Sequence, residues 1–168
     1  MQPSRLLLIR HAQAADAPVD RDRPLSGQGT ARAAAIGSWL ARSGYAPDRV
    51  LVSPALRAAQ TWAAAAASLA VDLTPTVDER IYVNTVGAVV AAIAETPGDV
   101  QTLIVVGHNP SMGELAAGLD DGEGDGSARR QLRAGFPTGA VAVFRSASGF
   151  GDLGPGSATL EDFAVPTA

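Results

Sequence analysis

The stretch Leu6-Leu7-Leu8-Ile9-Arg10-His11 decides the fold. Four apolar residues run without alternation, so both faces of this segment are covered, as in a strand at the centre of a parallel sheet. The run ends abruptly on a cation and an imidazole. Leu103-Ile104-Val105-Val106-Gly107-His108 repeats the pattern almost a hundred residues later. Val50 to Val52, ending in Ser53 and Pro54, gives a third buried strand.

Helical patterns fill the intervals. Ser26 is a plausible N-cap for a helix to about Arg42, with Ile36, Trp39 and Leu40 on one face. Gly44 and Pro47 end it. An Ala-rich helix is expected over Leu56–Leu69. Val86, Val89, Val90 and Ile93 recur at helical spacing, and another helix follows over Ser111–Leu119. Leu73–Val77 reads as a short strand that Pro75 pushes to an edge. Val141–Phe144 and Ala158–Phe163 read as two late strands, antiparallel at the sheet edge. Asp120–Ser127 reads as a mobile, acidic, Gly-rich loop. The plan is α/β: three layers, helices on both faces of a mainly parallel sheet, in a single domain spanning residues 1–168. Crossovers are expected to be right-handed.

Composition narrows the function. The chain has 168 residues, 46% of them hydrophobic and 18% charged, as a globular domain requires. Much of the apolar content is Ala, so thin, closely packed helices are expected. The net charge of −4 argues against a nucleic-acid binder. All 13 basic residues are Arg, the side chain best suited to grip phosphate with two hydrogen bonds. There is no Cys, which excludes disulfides, thiol nucleophiles and Cys-based metal sites. The N-terminal apolar run is too short for a signal peptide or a membrane span, so a soluble cytoplasmic protein is expected.

The two His residues both follow buried strands, and ligands of open α/β sheets bind beyond the carboxyl ends of the strands. Arg57 lies at the start of the helix after Val50–Val52, where an anion is favoured. Arg10, His11, Arg57 and His108 thus gather at three strand ends as a candidate phosphate pocket. A His after a strand is otherwise an ordinary polar strand end, and the two Arg residues could be surface ion pairs. Trp39, Trp62 and the Val86–Ile93 stripe read as core. Gly149, Gly151 and Gly154 match G-x-G-x-x-G, but Pro155 prevents the helix that motif needs. Asp121 to Gly126 opens like an EF-hand loop, but its twelfth position falls on Leu132, so calcium is not expected.

Leu8-Ile9-Arg10-His11-Ala12 resembles the Arg-His-Gly signature of the histidine phosphatase superfamily (phosphoglycerate mutase-like), with Ala12 in place of Gly. Ser53-Pro54-Ala55-Leu56-Arg57-Ala58-Ala59-Gln60-Thr61 resembles its second motif, and Val106-Gly107-His108-Asn109-Pro110 the motif of its second His. Arg23-Pro24-Leu25-Ser26 and Gly29 are similar to a stretch of the small, SixA-type phosphohistidine phosphatases. The resemblance implies a phosphohistidine phosphatase that needs neither cofactor nor metal. His11 would be the nucleophile, with Arg10, Arg57 and His108 binding the phosphoryl oxygens and the Asn109 backbone N–H as a further donor. Glu79 would be a general acid, with Asp78 as its rival and a solvated loop pair as the plain alternative. The implied partner is a phosphorylated protein or a small phosphate ester. A small-metabolite phosphomonoesterase and a non-catalytic phosphoprotein-binding module remain as alternatives.

Overall fold

A computed structural model describes residues 3–168. Six strands form one sheet: β1 (Ser4–Arg10), β2 (Arg49–Val52), β3 (Thr76–Val77), β4 (Thr102–Gly107), β5 (Val141–Ser146) and β6 (Thr159–Ala164). Their order is β3-β2-β4-β1-β5-β6. β1, β2, β3 and β4 run parallel, while β5 pairs antiparallel with β1 and β6 antiparallel with β5. The α/β plan with an antiparallel edge addition is therefore the observed one. β3 is shorter than expected, and pairs with β2 only through Thr76 and Val77.

The unbroken apolar runs are explained by the two cores. Successive side chains of a strand point to opposite faces. Leu6 and Leu8 of β1 join one core with Leu103 and Val105 of β4, whereas Leu7 and Ile9 join the other with Ile104 and Val106. Helices α1 (Gly27–Ser43) and α2 (Leu56–Ala66) cover the second face through Ile36, Leu40, Ala58 and Trp62. Helices α4 (Val86–Ala94), α5 (Ser111–Leu119) and α6 (Gly126–Ala134) cover the first through Val89, Ile93, Met112, Leu115 and Leu132. The one-turn helix α3 (Glu79–Val83) follows β3 and buries Ile81.

Local chemistry sets the helix ends. Ser26 Oγ accepts from Gly29 N–H at 3.0 Å, and Gly44, at φ 76°, closes α1 in the left-handed region that glycine tolerates. α1 and α2 do pack closely. A Cβ on Gly37 would lie 2.1 Å from the Ala65 carbonyl oxygen. A Cβ on Gly29 would likewise strike the Gln13 carbonyl, which brings the loop after β1 against α1.

Two expectations need correction. The segment after α5 is not a free loop over Asp120–Ser127. Its carboxylates are used locally: Asp120 pairs with Arg129, Asp121 accepts from Thr159, and Asp125 caps α6. Residues 126 and 127 already belong to that helix. Gly and Asp in sequence look like a loop, yet here they form a cap and close turns. The stretch around Glu79 is likewise a helix turn, started by Asp78, whose side chain accepts from Arg80 N–H.

Candidate active site

The carboxyl ends of β1 and β4 are neighbours, because these strands pair in parallel with Arg10 beside Gly107. Their next residues are His11 and His108, so the register itself juxtaposes the two imidazoles, with ring centroids 5.1 Å apart. β2, on the other side of β4, delivers Ser53 and then Arg57. Arg10, His11, Arg57, Asn109 and His108 line one cavity of about 650 Å³, together with Asp20 and Tyr82. The sequence-derived cluster is thus brought together, with one exception.

That exception is Glu79. It does not line the cavity. Its exposed carboxylate is held by both terminal nitrogens of Arg21, at 3.0 and 2.7 Å. The Arg21 hydrogen bonds keep it below the usual glutamate range, the opposite of what a proton donor needs. Asp78 is tied to Arg80 in the same way. The carboxylate that does face the cavity is Asp20, in a short 3-10 turn within a stretch whose sequence has only the polar character of a loop. Asp20 accepts from Tyr82 Oη at 2.6 Å and Arg57 Nη2 at 3.2 Å, and these bonds hold its pKa at about 2. Tyr82 packs edge-on against His108.

His11 Nδ1 lies 2.7 Å from the Ala12 carbonyl oxygen. A carbonyl can only accept, so the neutral ring carries its hydrogen on Nδ1 and has its lone pair on Nε2. Ala12 is itself pinned, its N–H donating to Thr61 Oγ1. Burial is the main cause that lowers the His11 pKa to about 4, with Arg57, Arg10 and Arg23 adding to it. His108 differs. Its Nε2 lies 2.8 Å from Ser53 Oγ, which also accepts from Ala55 N–H. The Ser53 hydroxyl hydrogen has no other acceptor among the described residues, so it points at Nε2 and the His108 hydrogen resides on Nδ1. Burial, then His11 and Arg57, lower the His108 pKa to about 3.

Several donors here are buried without a partner among the described residues: Arg10 Nε, Arg57 Nε and His108 Nδ1. Buried polar atoms are nearly always satisfied in folded proteins. These donors belong to three residues that line the cavity, and Gln13, which also lines it, leaves its acceptor Oε1 without a partner. The remaining contacts fix them. Arg10 Nη1 donates to the Phe136 carbonyl at 3.1 Å, and Arg57 Nη1 to the Asp20 carbonyl at 2.9 Å. Asn109 shares that Phe136 carbonyl through Nδ2, and its Oδ1 accepts from Gly113 N–H of α5. Its side chain therefore braces Arg10 and α5.

Ser53, Asp20 and Tyr82 were not singled out as site residues from sequence. Ser53 had a legible signal, a hydroxyl at the end of a buried strand, where it must find a partner. Asp20 and Tyr82 had none, since only the packing of the 3-10 turn against α2 and α3 brings them in. Among the described residues no group of three or more His, Asp or Glu is arranged to hold a metal ion, and no helix is long and apolar enough to cross a membrane.

A buried imidazole pair framed by two arginines at the strand ends of an α/β sheet defines a phosphoryl-handling class of enzyme. The chain belongs to the histidine phosphatase superfamily (branch 1), whose model matches residues 6–114. Within it the similarity runs to small members. An uncharacterized protein of Mycobacterium tuberculosis is 38% identical over 161 residues, covering 94% of this chain and 99% of that one. The phosphohistidine phosphatase SixA of Escherichia coli is 34% identical over 128 residues, 71% of this chain and 76% of its own. Among solved structures, a SixA candidate from Nakamurella multipartitia superposes with a TM-score of 0.86 at 32% identity, covering 100% and 99% of the two chains. The protein histidine phosphatase SixA complexed with tungstate gives 0.75 at 28%, covering 95% of each.

Proposed function

We infer that the protein hydrolyses phosphohistidine in a phosphorylated protein, through a covalent intermediate on His11. The observation that carries this reading is the free Nε2 of His11 in a cavity lined by Arg10, Arg57 and His108. Nε2 attacks phosphorus in line, and the phosphorus–nitrogen bond to the substrate imidazole breaks. Arg10, Arg57 and His108 Nδ1–H hold the equatorial oxygens, and the Asn109 backbone N–H is a further candidate donor. Preorganised contacts of this kind are typically worth ~3–4 kcal/mol each. Water then attacks phosphorus, the bond to His11 breaks, and phosphate leaves.

The carboxylates favour this substrate over an alkyl phosphate. An alkoxide must be protonated as it leaves, but Asp20 is ionised at neutral pH and Glu79 is bound to Arg21. An imidazole already protonated on its far nitrogen leaves as a neutral ring and needs no acid. Glu79 is accordingly assigned no proton transfer. Both cores rest on one sheet, which supports a single domain over residues 1–168. The acidic balance of the chain argues against nucleic acid as a partner.

The test is a quenched reaction with a phosphohistidine peptide. A phosphoenzyme that is labile in acid and stable in alkali, and missing in His11→Ala, is expected. Turnover without any such species would overturn the covalent route.

A further inference from the structure

A second cavity, of about 590 Å³, adjoins the first and shares Arg10 and Asn109 with it. Its walls are mostly apolar. Phe136 and Phe163 form its base, their rings packed edge to face at 5.7 Å, and Pro137 and Val165 extend it. Gln131 and Ala134 of α6 close the outer side, one helical turn apart and both exposed.

The charge of α6 is one-sided. Gly126–Ala134 contains Arg129, Arg130 and Arg133 and no acidic residue, in a chain whose net charge is −4. Arg129 is held by Asp120. Arg130 and Arg133 are exposed and have no acidic partner among the described residues. Arg133 stands in the last turn, where the helix dipole already favours a cation, but Arg130 has no such reason. These two cations flank the positions that wall the groove.

We propose that the groove and the outer face of α6 dock the phosphorylated protein, taking an apolar side chain near its phosphohistidine into the groove and acidic side chains onto Arg130 and Arg133. This rests on the phosphohistidine reading above. Two observations select that occupant. The groove lies beside the phosphate cavity, with Arg10 and Asn109 lining both, so a protein that presents a phosphoryl group there brings its neighbouring residues within reach of it. The unpaired arginines complement an acidic partner, and such rim charges act chiefly on encounter and register. A small phosphate ester would fill the first cavity and leave both features unused.

Three probes separate the possibilities: a phosphohistidine peptide with Leu and Glu beside the phosphorylated residue, the same peptide with Ser at those places, and free phosphohistidine. Ala134→Gln narrows the groove without adding charge, and the double variant Arg130→Ala/Arg133→Ala removes the cations. The wild-type protein should show a KM roughly 10-fold lower for the Leu/Glu peptide than for the Ser peptide. Each variant should erase much of that difference, with kcat unchanged and free phosphohistidine unaffected. Equal KM values for the two peptides, or variants that alter free phosphohistidine as much as the Leu/Glu peptide, would overturn the docking surface while leaving the phosphatase reading intact. Failure to hydrolyse any of the three probes would remove the phosphohistidine reading, and the docking surface with it.

Discussion

His11 and His108 occupy matching places, one residue beyond adjacent parallel strands, both buried and both held neutral. They differ in which nitrogen the protein keeps. His11 spends Nδ1 on the carbonyl of the next residue, a bond the chain makes locally, and leaves Nε2 with a lone pair. His108 spends Nε2 on Ser53, from a different strand, and leaves Nδ1 with a hydrogen. One ring keeps a lone pair and its neighbour a hydrogen, as the proposed nucleophile and donor require. Position in the sheet does not assign these roles; the hydrogen bond on the far nitrogen does.

The largest effect should fall on the nucleophile. His11→Ala is expected to lower kcat by ~10⁴-fold or more, because no second group can form the covalent intermediate. His108→Ala should cost about 10²–10³-fold, the range for one transition-state donor. The phosphoenzyme should still form in that variant, more slowly. If His108→Ala abolished the phosphoenzyme while His11→Ala kept it, the two roles would be reversed.

Protonation offers a test on both rings at once. Their folded pKa values, about 4 and about 3, lie below the ordinary 6.5, so the unfolded chain binds protons more readily. Stability from these groups is complete above about pH 6.5 and is lost as pH falls, towards 4 for His11 and towards 3 for His108. Urea unfolding should show a loss on the order of 3 kcal/mol for each ring over that range. The double variant His11→Asn/His108→Asn should lose most of this slope.

Smaller effects sharpen the contrast further. Ser53→Ala removes the hydroxyl that sets the His108 hydrogen on Nδ1, and should lower kcat about 10-fold with KM little changed. Ser53→Thr should restore part of it, which a purely steric role would not produce. Glu79→Gln should change kcat less than ~3-fold, since an exposed pair with Arg21 is worth little. A loss of ~10²-fold on phosphohistidine would return Glu79 to the reaction.

Much of this was legible in the sequence. The runs Leu6–Ile9 and Leu103–Val106 read as strands covered on both faces, and they carry His11 and His108 at their ends. Arg10 and Arg57 were legible by the same placement. The 3-10 turn of Asp20 was not, because a short polar loop has no period to read. α6 was hidden because Gly124 and Asp125 just before it, which look like a loop, make a close contact with β6 and cap the helix.

The sequence by itself determined the sheet, its two cores and the four pocket residues, since apolar periodicity and strand ends follow from local order along the chain. Only the tertiary structure decided which nitrogen of His108 keeps its hydrogen, which carboxylate faces the cavity and why Glu79 does not. Those depend on single hydrogen bonds between segments far apart in the chain, such as Ser53 with His108 and Arg21 with Glu79, and no local pattern encodes a partner that only packing supplies.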